Sequence, residues 1–180
     1  MADIRPARQE DLDAVWALAR RAVAWMNDQG NPQWGEDYPT RTLYQGDIAR
    51  GELYAAWAGE LLLGVACINT DQSPEYAQVD WAVSGPAMVV HRMAVDPQVQ
   101  GQGVGRRLLA YAEELARSRG LPVMHVDTYS QNHRMQHLFE RQGFCRRGEI
   151  HLHGRPLPYP CFEKILTAQR VDCNLPHSGL

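Results

Sequence analysis

The stretch VDPQVQGQGVG, Val95 to Gly105, constrains this chain more than any other. It joins an apolar run, AMVVHRMAV, to a segment with Leu108, Ala112 and Leu115 at helical spacing. Gly101, Gly103 and Gly105 fall at the junction, alternating with Gln102 and Val104. A glycine inside a helix costs about 1 kcal/mol relative to alanine, so something at this junction must offset that cost. A helix N-terminus has unpaired backbone N–H groups and a partial positive charge, which together make an anion site. Glycines leave no Cβ in the way, so phosphate oxygens can approach the backbone. Arg106 and Arg107 follow directly, and their charge opposes the helix dipole unless an anion is present. The same glycines would also suit a turn that only tightens helix–strand packing. At this stage both readings stand.

Two phosphate loops are excluded. No Lys-Ser or Lys-Thr exists to complete a GxxxxGK[ST] motif. A GxGxxG fingerprint would read Gly101-x-Gly103-x-x-Arg106 and fails at its third glycine. Asp127 sits on the next strand run, as that fingerprint would require, but hairpins on both sides argue against a doubly wound parallel sheet.

The remaining pattern predicts a mixed α/β (α+β) fold. DIRPA opens as a strand, and Leu12, Val15, Trp16, Ala19, Ala22 and Val23 repeat as one helix face. NDQGNPQWGEDYPT reads as a long loop carrying Trp34 and Tyr38, which serve either a site or the edge of the core. LYAAWAGELLLGVACI is a hairpin turning at Gly59-Glu60. AQVDWAV and AMVVHRMAV predict two further strands, followed by a helix over 104–119 that Gly120 stops. PVMHVDTY is a strand, and Asn132 to Gln142 is a short helix stopped by Gly143. FCRRGEIHL and PYPCFEKIL complete an antiparallel pair. The expected architecture is a mixed, largely antiparallel central sheet with helices on both faces, formed by a domain over 1–167 with a tail over 168–180.

Composition narrows the function classes. A net charge of −3 over 180 residues gives no overall attraction to nucleic acid. No apolar run approaches the roughly 20 residues that span a bilayer. The charged start, MADIRPARQEDLD, lacks a signal-peptide core, so a cytoplasmic protein without membrane or nucleic-acid partners is expected. Cys67, Cys145, Cys161 and Cys173 form no CxxC pair and read as free thiols. His133 and His137, at i and i+4 on a short helix, fall short of a metal site, and no metal is expected.

Gln100-x-x-Gly103-x-Gly105 resembles the (Arg/Gln)-x-x-Gly-x-(Gly/Ala) loop of the GNAT family of N-acetyltransferases. DTYSQNHRMQHLFERQGF is similar to that family's N-x-x-A-x-x-L-Y-E-x-x-G-F segment, with Met135 and Phe139 as departures. The two segments stand at the family's spacing, and the resemblance covers roughly residues 3–167. It implies the acyl-CoA N-acyltransferase fold, and acetyl-CoA as cofactor. The pyrophosphate would lie on the backbone of Gln100, Gly101, Gln102, Gly103, Val104, Gly105 and Arg106. The pantetheine arm would pair with the strand at Met93 and Val95, as an added strand does. Asn132 would contact that arm, cap its helix, or both.

The implied reaction is attack of an amine on a thioester, with a small-molecule amine, an amino acid or a peptide N-terminus as acceptor. The resemblance also allows a homodimer. A backbone N–H near Ala94 would serve the developing oxyanion. The family's usual tyrosine acid aligns with Phe139, which has no hydroxyl and can only pack against the cofactor. Tyr129, three residues before Asn132, is the nearest phenol, either as replacement acid or as pocket wall. His91 and Asp80 are candidate bases. His91 stands two residues before Met93, which predicts that both point to one sheet face; a structural histidine bonded across strands is its other reading. Asp80 would bind the amine or pair with Arg92. The missing acid keeps open a non-catalytic acyl-CoA-binding or sensing module, and a nucleotide-binding protein of another kind is a third reading.

Overall fold

The computed structural model describes residues 2–167. Strand β1 (Asp3–Pro6) leads through helices α1 (Leu12–Asp28) and α2 (Arg41–Ala49) to the hairpin of β2 (Leu53–Ala58) and β3 (Leu61–Asn69). Then come β4 (Met88–Val95), α3 (Val104–Ser118), β5 (Val123–Asp127), α4 (His133–Arg141), β6 (Cys145–Ile150) and β7 (Tyr159–Ile165). The strands form one sheet in the order β1-β2-β3-β4-β5-β7-β6. Only β4 and β5 run parallel, since every other neighbouring pair is antiparallel. The expected mixed sheet is therefore present.

Each face carries its own apolar layer. Val15, Leu18, Ala19 and Ala22 of α1 pack with Leu53, Ala55, Val65 and Cys67. On the opposite face Leu108, Leu109 and Ala112 of α3 pack with Ala66, Ile68, Val90 and Val126. Burying one such leucine or valine contributes about 1.5–3 kcal/mol. A Cβ on Gly64 would lie 2.9 Å from the Ala94 carbonyl oxygen and 3.0 Å from Val104 Cγ1. The absent side chain lets the start of α3 sit directly on the sheet, at the level of the glycine loop.

Two features open the sheet where the loop meets it. Val65 pairs with Ala94 but Cys67 with His91, so β4 holds one extra residue against β3. This bulge centres on Arg92, whose φ is +47°. The β4–β5 pairing then ends early, with partners only at Met88–Met124 and Val89–His125. Beyond Val89 the two parallel strands separate.

Several expectations need correction. AQVDWAV is not a strand: Pro74–Gln78 form a 3-10 turn, followed by an irregular segment. Ala82 and Val83 donate their backbone N–H groups to the Glu163 carboxylate, which substitutes for a ladder partner. Helix α2 goes unmarked in the sequence pattern, because among its residues only Tyr44, Asp47 and Ile48 are buried. Cys67 and Cys161 are free and buried, but Cys145 is disulfide-bonded, against the expectation of four free thiols. Cys173 and the expected tail over 168–180 lie outside the described residues.

Candidate active site

The separation of β4 from β5 opens a cavity of about 930 Å³. At one end stands the glycine loop. Asp96, 4% exposed, shapes the approach: its carboxylate accepts from Gln98 N at 2.9 Å and from Arg21 Nη2 at 2.5 Å. Gly101 and Gly103 have φ of +81° and +82°, a region other residues adopt only under strain. Gly103 is the N-cap of α3 and supplies no side-chain cap, so the first N–H groups of that helix stay available to an anion. Gly105 serves space instead, since a Cβ there would meet Leu138 Cδ2 at 3.0 Å.

Side chains complete this end. Gln100 Nε2 donates to the Val95 carbonyl at 3.3 Å, and Arg134 Nη1 donates to Gln100 Oε1 at 3.4 Å. Arg134 also lies over the Trp25 ring, 5.2 Å from its centroid. Arg106 and Arg141 line the same end. Of the cofactor residues expected from the sequence, Met93, Ala94, Val95, Gln100, Gly101 and Gly103 line the cavity. So do Val104, Gly105, Arg106, Asn132 and Phe139, whereas Gln102 is exposed and does not.

The long loop after α1 forms the middle wall. Gln33, 8% exposed, accepts through Oε1 from Thr128 Oγ1 at 3.1 Å and from Asn132 Nδ2 at 2.8 Å. Asn132 also caps α4, its Oδ1 accepting from Met135 N at 3.2 Å. Trp34 is both things foreseen for it, a core residue and a cavity wall. Phe139 packs on Phe144 and Phe162 and has one side on the cavity.

At the far end β4 presents His91 and Arg92. The bulge changes their direction. His91 stands opposite Cys67 on the α1 face, whereas Met93 packs into the α3 layer. The two therefore lie on opposite faces, correcting the expectation from simple alternation. His91 Nε2 is 3.0 Å from both Asn69 Oδ1 and the Asp71 carbonyl. Asn69 Oδ1 also accepts from Asp71 N, and its amide nitrogen reaches Glu52 Oε2, which fixes the amide's orientation. Both partners of Nε2 are thus acceptors, so Nε2 carries the proton and Nδ1 keeps a lone pair. Burial, with a contribution from Arg92, pushes the His91 pKa down to about 4. The cross-strand structural reading of His91 is present in this geometry.

Arg92 is committed elsewhere. Its Nε and Nη2 each reach Asp47 at 2.8 Å, and Nη2 lies 3.4 Å from Cys67 Sγ. Asp47, Glu52 and Cys67 bring ligand-type atoms within 4.8 Å of one another. Arg50 and Arg92 already neutralise those carboxylates, so the cluster reads as an ion-pair network.

Two proposed catalytic residues are not brought to the cavity. Tyr129 is 1% exposed, packs on Tyr159, and its hydroxyl accepts from Leu157 N at 3.3 Å. Asp80 is exposed on the irregular segment before β4, and Arg92 pairs with Asp47 instead. Sequence reasoning missed others. Asp127, at the end of β5, lines the cavity and accepts from the Tyr76 hydroxyl at 2.6 Å. Burial pushes its pKa up to about 6, against the opposing pull of that hydrogen bond. Tyr38 and Tyr159 line the same end. One signal for Asp127 was present: an acid closing an apolar strand five residues before Asn132.

Residues 19–144 match the model of the Acetyltransferase (GNAT) family. This chain belongs to the GNAT family. An N-acetyltransferase of Bacillus subtilis, YesJ, is 27% identical over 171 residues, 91% of this chain and 90% of that one. A GNAT acetyltransferase structure from Streptococcus agalactiae superposes with a TM-score of 0.80 at 24% identity, covering 91% of this chain and 95% of that one. The yncA acetyltransferase structure from Salmonella typhimurium, determined with acetyl-CoA, superposes with a TM-score of 0.70 at 19% identity, covering 96% and 98%. The GNAT chain described here is an acetyl-CoA-dependent N-acetyltransferase, and its acceptor is an amine. No helix among its described residues is long and apolar enough to cross a membrane.

Proposed function

We propose that this GNAT enzyme works in the cytoplasm as a single domain over 1–167 and acetylates a small-molecule or peptide amine. In this reading acetyl-CoA lies in the opening between β4 and β5. The observation that carries the assignment is the continuity of one cavity from the uncapped start of α3 to the separated strands. Its residues fit the cofactor. The backbone of Gly101 and of Gly103 to Arg106 lines the cavity and suits an anion, Arg106, Arg134 and Arg141 add positive charge, and β4 beyond Val89 has backbone without a β5 partner. When bound, acetyl-CoA supplies a thioester carbon open to attack and a thiolate able to leave.

The chain's own residues then orient and exclude water. Gln100 ties the loop to the end of β4, and Asn132 ties α4 to the Gln33 wall. Phe139 contributes an apolar surface, so thiolate departure proceeds without a hydroxyl at that position. The same residue motivates a second reading, an acyl-CoA sensor. Thiol release from acetyl-CoA, followed with a panel of amines, separates the two. Acceptor-dependent release is expected. Tight acetyl-CoA binding with no release for any amine would establish the sensor.

A further inference from the structure

The cavity end away from the glycine loop has a chemistry of its own. Its side chains come from five separate segments, and ring stacking and hydrogen bonds join several of them. Tyr38 stacks on His153 with ring centroids 3.9 Å apart, and His153 meets Tyr159 edge-on at 6.0 Å. Tyr38 also accepts from Arg92 Nη1 at 3.4 Å. Tyr159 is 1% exposed, lines the cavity, and its hydroxyl has no hydrogen-bond partner among the described residues. His91 Nδ1 makes no hydrogen bond among the described residues, and its lone pair is fixed by the Asn69 network. Asp127 has one oxygen bonded to Tyr76 and no cationic partner.

The charge balance is one-sided. Arg92 is bidentate with Asp47, and Arg155, just outside the cavity, is paired with Asp37. Burial pushes the His153 and His91 pKa values down, so both rings are neutral at pH 7. The free arginines of the cavity, Arg106, Arg134 and Arg141, belong to the glycine-loop end, where the cofactor phosphates would lie. What remains at the far end is one unpaired carboxylate, two further acceptors and an aromatic wall. Such a set attracts a group that is cationic, rich in N–H donors and attached to an apolar body. It repels a second carboxylate on the ligand, because no uncompensated cation stands there to receive one.

We propose that Asp127, Tyr159 and the Tyr38–His153 stack form the acceptor subsite, and that it selects a cationic alkyl- or arylalkylamine lacking a carboxylate beside its ammonium group. This rests on the acetyltransferase reading above. The bound ammonium gives one proton to the Asp127 carboxylate, leaving a neutral amine with its lone pair. The amine nitrogen then bonds to the acetyl carbon as the C–S bond breaks. A second nitrogen proton goes to sulfur, and Asp127 returns its proton to water. An alkylammonium has a pKa near 10, and the apolar wall lowers it toward that of the acid it faces. The titratable groups that face Asp127 are Tyr76 from the 3-10 turn, Tyr38 from the long loop, and Tyr159 and Cys161 from the neighbouring strand β7. None is a free cation near neutral pH.

The test uses matched pairs: phenethylamine against phenylalanine, and agmatine against arginine, each with saturating acetyl-CoA. The decarboxylated member should show kcat/KM at least tenfold higher in both pairs. Asp127→Asn keeps the acceptor for Tyr76 and so should fold. It should lower kcat/KM for phenethylamine about 100-fold or more, a typical size for lost acid–base help. Its effect on an arylamine such as aniline, already neutral at pH 7, should be less than tenfold. CoA affinity, measured separately by calorimetry, should stay within twofold. Equal turnover of amines and amino acids, or an equal Asp127→Asn loss on phenethylamine and aniline, would overturn the proposal. So would CoA binding with none of these amines turned over or bound. Failure to bind CoA would instead count against the placement of the cofactor.

Discussion

The two ends of the cavity are built in opposite ways. The glycine-loop end is made mainly of backbone: N–H groups at the start of α3, positive φ at Gly101 and Gly103, and a strand edge left bare beyond Val89. The acceptor end is made of side chains, drawn from the loop after α1, β4, β5, the β6–β7 connection and the start of β7. Backbone recognition needs particular residues at fixed short spacing, so it leaves a motif. Side-chain recognition across the fold needs only that distant residues meet, and it leaves none.

The largest expected effect breaks the backbone end alone. Gly103→Asp would set a carboxylate at the N-cap of α3, against the anion those N–H groups serve. The positive φ of +82° adds strain for any side chain, so Gly103→Asn is the control: similar in shape, tolerant of that φ, and uncharged. CoA affinity by calorimetry should fall at least 100-fold in Gly103→Asp and no more than about tenfold in Gly103→Asn. Equal losses would mean that backbone shape, and not charge, governs the loop.

That contrast also explains what could be read in advance. The α3 junction, the β2–β3 hairpin and the caps of α4 follow from local spacing and turn residues. The segment AQVDWAV alternates like a strand, yet its N–H groups are held by Glu163, a residue far along the chain. Helix α2 shows too few buried positions for a period to emerge. The alternation rule placed His91 and Met93 on one face and failed because an extra residue enters β4 at Arg92, whose side chain is drawn into the Asp47 ion pair. Tyr129, a candidate acid or pocket wall by its nearness in sequence to Asn132, is buried on Tyr159, and Asp127, two residues earlier at the end of β5, lines the cavity. Of the residues expected to contact CoA, all but Gln102 line the cavity.

A second comparison sets His91 against Asp127 within the acceptor end, and its signs are opposite. The folded-state pKa of His91, about 4, lies below its usual value, because burial disfavours the imidazolium. The unfolded chain therefore binds the proton first, and stability falls as pH drops from about 6.5 toward 4. For Asp127 the folded pKa of about 6 lies above the usual carboxylate value, because burial disfavours the carboxylate. Its contribution is full below about pH 4 and is lost as pH rises through 6. Each effect is of the order of 2–3 kcal/mol over that window. Between pH 4.5 and 7.5 His91→Gln should flatten the acid loss of Tm relative to the unaltered protein, and Asp127→Asn should steepen it. The activity profile sharpens the same contrast. An acid limb of kcat/KM near pH 6 should persist in His91→Gln, because it follows Asp127, whose pKa of about 6 lies there. Loss of that limb in His91→Gln would return the base to the histidine.

The smallest expected effect lies where the two ends meet, at Phe139. Its ring stands 5.7 Å from Phe144 and 5.5 Å from Phe162, is 3% exposed, and forms part of the cavity wall. The resemblance to the family motif implies a tyrosine in this place, and Phe139→Tyr adds one hydroxyl to a side chain of otherwise the same shape. If the hydroxyl turns toward the cavity it is solvated there, and the aromatic packing stays intact; the cost in stability should be within about 1 kcal/mol. A thiolate is a good leaving group, so an added acid has little barrier to remove, and kcat should change by less than about fivefold. The comparison gives this small number its meaning. If proton handling resides at the acceptor end, in Asp127, then equipping the cofactor end with a phenol changes little. A gain of several hundredfold in kcat for Phe139→Tyr would show that the native chain lacks an acid it needs, and the sensor reading would then describe it better than the catalytic one.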